Sequence, residues 1–249
     1  MNLTDIIATR PNKTIYRDGD VAVRLFKEDY TASDVLNEAL NQAIVQETGF
    51  AIPALREVTK IDGKWAIISN YIEGKSLYQL MQENPSKLDE YFERFVDLQL
   101  EMHGYKATRL RHHTDKMHAK ITASGLEATV RYELHNRLNG LPRHNKLCHG
   151  DFTPGNIIIT PEDKAVVIDW SHATQGNASG DAARTYLRFR LAGMDEYAEK
   201  YLALFCKKSD TARQYVQKWL AIVAASQLVK GKPEERELLT SWTNVVEYE

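Results

Sequence analysis

The chain has 249 residues, 43% hydrophobic and 27% charged, enough for one large or two small domains with proper cores. Its formal net charge of −2 gives no basic footprint for nucleic acid, and no run approaches the roughly 18 apolar residues that a membrane span needs. Residues 1–10 lack the features of a secretory signal, and Cys148 and Cys206 make neither a disulfide framework nor a zinc site, so a cytoplasmic protein with no nucleic-acid or membrane partner is expected.

In chain order, residues 14–16 and 21–26 read as a hairpin with Asp18-Gly19 at its turn. Its second strand alternates: Val21, Val23 and Leu25 face one side, and Ala22, Arg24 and Phe26 the other. Thr31 offers a capping hydroxyl with Asp34 three residues on, opening a helix whose apolar stripe is Val35, Leu36, Ala39, Leu40, Ala43 and Ile44. Glu38 lies on the margin of that stripe, and Gly49 follows the end of the helix. Residues 52–58 and 65–69 read as two more strands around the Asp62-Gly63 turn, with Asn70-Tyr71-Ile72-Glu73-Gly74 leading out.

The remainder is mostly helical. Residues 88–102 carry Leu88, Tyr91, Phe92, Phe95, Val96 and Leu100 near helical spacing and end at His103-Gly104, with His103 read as a capping or packing histidine. Residues 105–125 hold Arg109, Arg111, His112, His113, Lys116, His118 and Lys120, a basic polar segment of uncertain order whose histidines are accompanied by no acid or cysteine ligand set for a metal. Residues 127–138 form a helix closed by Asn139-Gly140, Asp181 is expected to begin a helix through 182–187, and further helices are expected over 195–206, 212–229 and 233–246. Cys148, on what reads as a buried strand, is a small packed thiol rather than a nucleophile.

The stretch with the most chemistry is His149-Gly150-Asp151-Phe152-Thr153-Pro154-Gly155-Asn156, followed by the apolar run 157–159 and by Ala165-Val166-Val167-Ile168-Asp169. Residues 160–164, with Pro161 and Asp163, make the two runs a hairpin. Asn156 then opens one strand and Asp169 closes its partner, so an amide oxygen and a carboxylate stand side by side where one hard cation can bridge them. Asp151 sits on the loop leading in. Transfer of a phosphoryl group from a nucleotide needs this set: a carboxylate for the attacking hydroxyl and oxygen ligands for the Mg²⁺ that neutralises the phosphates.

This pattern resembles the catalytic and metal-binding segments of the aminoglycoside phosphotransferase and choline kinase family. Protein kinases carry the related H-R-D-x-x-x-x-N and D-F-G; here Gly150 stands for the Arg and Asp169-Trp170-Ser171 for D-F-G, which favours a small-molecule kinase. The resemblance implies an α+β, two-lobed protein-kinase-like fold. Its small N-terminal lobe, an antiparallel sheet plus one helix, would be residues 1–72, and its larger, mainly helical lobe residues 73–249.

The same resemblance implies roles. Asp151 is the catalytic base, Asn156 and Asp169 hold Mg²⁺, and His149 and Asp181 support the catalytic loop. At the nucleotide, Ala22 admits adenine, Arg24 held by Glu38 reaches the phosphates, and the backbone of Asn70, Tyr71 and Ile72 meets the adenine edge, with Ile168 also in the site. Arg24 stands where the family usually has lysine, and the glycine-free residues 8–13 stand where it has a glycine-rich turn. The implied reaction moves the γ-phosphoryl of ATP, or alternatively GTP, to a hydroxyl of an aminoglycoside, amino alcohol or sugar, in a monomer or homodimer. Two other classes stay open. An atypical protein kinase is opposed by the short segment between Asp169 and Asp181, and a non-catalytic nucleotide-binding regulatory module by the intact Asp151, Asn156 and Asp169. The acids Glu234, Glu235, Glu237, Glu247 and Glu249 are read as solvated charge rather than a seat for a polycationic acceptor.

Overall fold

The computed structural model describes residues 3–244; Met1, Val246, Glu247 and Glu249, which figured in the expectations above, lie outside the described residues. In chain order the elements are β1 Asp5–Thr9, β2 Lys13–Asp18, β3 Val21–Phe26, α1 Ala32–Glu47, β4 Leu55–Ile61, β5 Lys64–Asn70, β6 Lys75–Ser76 and α2 Leu77–Glu83. Then come α3 Leu88–Gly104, α4 His113–Thr122, α5 Ala128–Asn139, β7 Lys146–Cys148, β8 Ile157–Ile159, β9 Ala165–Val167 and β10 Thr174–Gly176. The last five are α6 Ala178–Leu191, α7 Asp195–Ser209, α8 Arg213–Gln217, α9 Leu220–Leu228 and α10 Arg236–Thr243. Contacts divide the chain into two compact units, Met1–Pro85 with Pro154–Ala173, and Ser86–Thr153 with Thr174–Glu249.

The first unit is built on an antiparallel sheet of order β1-β2-β3-β5-β4. Period-2 alternation sorts its side chains: Phe26 and Ile67 pack with Val35 and Ala39 of α1, while Val23, Ala66 and Ile68 form a second cluster with Tyr16, Val21 and Leu25. The α1 helix starts where the sequence indicates, with Thr31 Oγ1 accepting from Asp34 N at 3.2 Å. The hairpin β8–β9 belongs to this unit because β6 pairs with it, Lys75 opposite Ile159 and Ser76 opposite Ile158. Residues 8–13 are not one open loop: Ala8 and Thr9 close β1, Lys13 opens β2, and Arg10 N donates to Lys13 O at 2.8 Å across the tight turn between them.

The second unit is helical, and its core is aromatic. Phe95 of α3 stacks on Phe152 with ring centroids 4.8 Å apart and meets Phe189 of α6 edge-on at 6.1 Å and Tyr201 of α7 at 5.6 Å. Three sequence expectations shift here. The basic segment 105–125 contains a regular helix, α4, whose N-cap is the His112 side chain accepting from Thr114 N. The single helix expected over 212–229 is two, α8 and α9, because Trp219 between them is buried and stacks on His113 at 5.3 Å, so tertiary packing overrides helical continuity. Asp181 does not start its helix: the cap is Asn177, whose side chain accepts from Ser179 N at 2.9 Å, and Asp181 lies within the first turn.

Phe95 is fully buried and in the same unit as the Asp151 loop, so Phe95→Ala removes both its own packing and the support of Phe152. We expect a loss of about 3 to 5 kcal/mol, measured as a lower urea midpoint at unchanged m value.

Candidate active site

In the first unit a small polar cluster is buried between β2, β3 and α1. Residues directly opposite in an antiparallel pair project to the same face, so Lys13, opposite Phe26, shares with Arg24 the face that α1 covers. Glu38 Oε1 accepts from Lys13 Nζ at 2.7 Å and from Arg24 Nη1 at 2.9 Å. Arg24 Nη2 also donates to Gln42 Oε1, and Gln42 is fixed in turn by its Nε2 donating to Pro53 O at 2.8 Å. Lys13, Arg24 and Glu38 are all buried, so two cations rest on one carboxylate oxygen away from solvent. Arg24 Nε has no hydrogen-bond partner among the described residues. The fourth member is Asp169, whose Oδ1 lies 3.5 Å from Lys13 Nζ.

Asp169 stands just past β9 in the left-handed region, φ 63° and ψ 64°, a strained setting for a residue with a Cβ. Ser171 Oγ donates to Asp169 Oδ1 at 3.0 Å, and Asn41 of α1 donates from Nδ2 to Ser171 O at 3.2 Å, so α1 helps to hold the turn. Trp170 is buried, with Nε1 donating to Val167 O at 2.9 Å and its ring edge-on to Phe50. Asn156 ends a one-turn helix ahead of β8, and Ile168 N donates to Asn156 O at 2.9 Å. Asn156 and Asp169 thus flank one end of the hairpin as the sequence indicates, although neither is itself a strand residue. An amide and a carboxylate are hard oxygen donors, and their chemistry fits Mg²⁺.

Toward the far end of the sheet, Ala22 pairs with Ser69 and Val21 with Asn70. The N–H groups of Asn70 and Tyr71 donate to Ala54 O and Asp20 O at 2.9 and 2.8 Å. Both of these donors are therefore engaged by backbone carbonyls of the same unit.

The second unit carries the loop of His149, Gly150 and Asp151. Its anchor is Asp181, which is fully buried and accepts from Gly150 N at 2.7 Å, from His149 N at 3.3 Å and from His103 Nε2 at 3.0 Å. Burial alone would raise the Asp181 pKa; the His103 hydrogen bond and charge and the Gly150 N–H outweigh it and bring the pKa down to about 2. Gly150 has φ +79°, a left-handed conformation that glycine adopts without the penalty of a Cβ. His149 Nδ1 accepts from Asp151 N at 3.2 Å, and Arg188 Nε of α6 lies 3.0 Å from Asp151 Oδ1. Burial pushes the Cys148 thiol well above its ordinary range, which agrees with a packing role.

The structure therefore gathers Arg24, Glu38, Asn156, Ile168 and Asp169 within one unit, and His149, Asp151 and Asp181 within the other. Sequence reasoning missed Lys13, which it left in the turn before β2; counting the register back from the Asp18-Gly19 turn would have placed it opposite Phe26. It also missed the Asp181 ligand His103, and the cations Arg184 and Arg188, which lie three and seven residues beyond Asp181 on the same helical face.

The model of the phosphotransferase enzyme family, APH, matches residues 11–217, and the chain belongs to that family. The fold is protein-kinase-like. A thermostable mutant of aminoglycoside phosphotransferase APH(4)-Ia, in a ternary complex with AMP-PNP and hygromycin B, superposes with a TM-score of 0.70 at 14% identity, covering 97% of this chain and 91% of that one. Choline kinase LicA from Streptococcus pneumoniae gives 0.66 at 14% identity over 99% and 94% of the two chains. A choline/ethanolamine kinase family protein from Mesorhizobium loti gives 0.61 at 17% identity over 98% and 86%. No curated protein sequence matches the chain. Among the described residues no helix is long and apolar enough to cross a membrane.

The Asp181 carboxyl is held below its unfolded value, so its stabilisation is complete above about pH 4 and is lost as pH falls through about 2. That depression corresponds to about 2 kcal/mol. Asp181→Asn should cost at least this much at pH 7 and should flatten the stability profile between pH 4 and 2, as read by urea unfolding across that range.

Proposed function

We propose that the protein transfers the γ-phosphoryl group of ATP, with GTP as the alternative donor, to a hydroxyl of a small molecule. The observation that carries this reading is the buried Lys13–Glu38–Arg24 cluster beside Asp169. Two cations on one carboxylate oxygen leave positive charge that a polyphosphate offsets, and Asp169 is the adjacent acid that a metal ion neutralises. Family membership and the AMP-PNP bound in a neighbour of the same fold point the same way.

Each residue has one task in this reading. Asp151 accepts the proton of the attacking hydroxyl as the new oxygen–phosphorus bond forms, and the bond from the γ-phosphorus to the bridging oxygen breaks with its electron pair leaving on the nucleoside diphosphate. His149 and Asp181 fix the loop that carries Asp151. Lys13 and Arg24 stabilise the phosphates, Glu38 orients both, and Ala22 with the segment of Asn70, Tyr71 and Ile72 and with Ile168 receives the base. Asn156 and Asp169 would hold Mg²⁺, which when bound neutralises charge on the phosphates.

Asp169→Asn should abolish Mg²⁺-dependent turnover while the far-UV circular dichroism stays that of the parent; full activity would remove Asp169 from the metal site. Asp151→Asn should lower kcat by roughly 10² to 10⁴ with nucleotide affinity little changed, and an equal loss of Mg-ATP binding would instead assign Asp151 to the nucleotide or the fold. Calorimetric titration with Mg-ATP tests the cations. Arg24→Ala and Lys13→Ala should each weaken binding by about 1 to 3 kcal/mol, and the double variant should fall short of or exceed the sum, since both cations share Glu38 Oε1.

A further inference from the structure

A strongly basic cluster of the second unit gathers around Arg184, one helical turn from the Arg188 that contacts Asp151. On α6, Arg188 contacts Asp151, and Arg184 lies one helical turn earlier on the same face. On α4, Lys116 and Lys120 are likewise one turn apart, with Arg111 just ahead of the helix and Lys230 just past the end of α9. These elements are locked together. α9 packs against both α4 and α6, and the first turns of α4 and α6 touch so closely that a Cβ on Gly180 would lie 2.6 Å from His113 Cε1.

The cations press on one another. Burial, and then the charges of Arg184, Lys120, Arg111 and Lys230, bring the Lys116 ammonium down to about 7. Burial also lowers Arg184, with Asp151 the first of the groups that oppose it, followed by Glu235 and Asp181. Those acids offset Arg184 only in part, since burial still leaves it lowered, and their oxygens are engaged elsewhere: Asp181 with His103 and Gly150, Asp151 with Arg188, and Glu235 accepting from Gln227 Nε2 at 2.7 Å. The Nη1 atom of Arg184 is buried and finds no hydrogen-bond partner among the described residues. A solvated surface charge needs none of this. A crowd of like charges around a buried donor without an acceptor is costly in the free protein and is relieved by an anion.

We propose that the phosphoryl acceptor is itself an anion, a hydroxyl compound whose phosphate or carboxylate group is held by Arg184, Lys116, Lys120 and Lys230 while its hydroxyl meets Asp151. This rests on the phosphotransfer reading above. A bidentate contact from Arg184 and point charges from the lysines suit such a group, and a polycationic or quaternary ammonium alcohol would meet repulsion at every one of these side chains.

The test is calorimetric titration of the full chain, saturated with Mg-ADP, using inorganic phosphate, sodium acetate and choline chloride at matched ionic strength. Saturable binding of phosphate or acetate is expected, the tighter of the two naming the acceptor's anionic group. Arg184→Gln should weaken it at least about tenfold, the scale of one charge-assisted contact. Should that variant fail to fold, Lys116→Gln with Lys120→Gln is expected to give a loss of the same size. No saturable anion binding, unchanged binding in the variants, or tighter binding of choline overturns the proposal. So does phosphate binding to the protein without nucleotide that Mg-ADP abolishes, because the cluster would then serve the nucleotide. Failure of the parent to bind Mg-ADP would instead overturn the phosphotransfer reading, and the phosphate and acetate titrations would still judge the anion site.

Discussion

A carboxylate without access to water organises the second unit. Asp181 is unfavourable where it lies unless its oxygens are fully engaged, and the donors that engage them are the backbone of His149, the backbone of Gly150, the ring of His103 and, at 3.5 Å, the amide of Gln99. Meeting that requirement fixes the conformation of the loop ahead of Asp151 and ties α3 to α6. Because Asp181, Arg184 and Arg188 follow one face of a rigid helix, the anchor of the loop, the buried guanidinium and the partner of Asp151 are spaced by helix geometry rather than by flexible chain.

The first unit solves a related problem with the opposite sign. Lys13 and Arg24 are both buried and share the one oxygen Glu38 Oε1, with Gln42 accepting from Arg24 and Asp169 lying beside Lys13. A guanidinium and an ammonium differ in reach and shape. Here the planar fork of Arg24 spans Glu38 and Gln42 along α1, and the point charge of Lys13 is the one that faces Asp169.

Much of this was legible in the sequence, for identifiable reasons. The strands and α1 were readable from period-2 alternation, the Asp-Gly turns and the Thr31 cap, all of which are local signals. The loop motif and the Asn156–Asp169 hairpin were readable because the residue types and their spacing are themselves the chemistry. What escaped depends on contacts between distant segments. His103 looked like a helix end because its partner lies 78 residues away. The break between α8 and α9 was hidden because Trp219 fits a helical pattern, and only its stacking on His113 turns it into a corner. The basic segment 105–125 read as loosely ordered because its charges mask the stripe of His113, Met117 and Ile121, which are buried in α4.

Lys13 carries a lesson about inference from motifs. In an antiparallel ribbon the same volume above a sheet can be filled from either of two neighbouring strands, so a required charge is a property of a place and not of a column in an alignment. A search that demands lysine at the position of Arg24 finds only a guanidinium there. An ammonium stands across the hairpin from it, on β2, and reaches the same glutamate as Arg24. Reading such a site therefore calls for asking which atoms occupy the space, since a position-by-position comparison misses a cation supplied from the neighbouring strand.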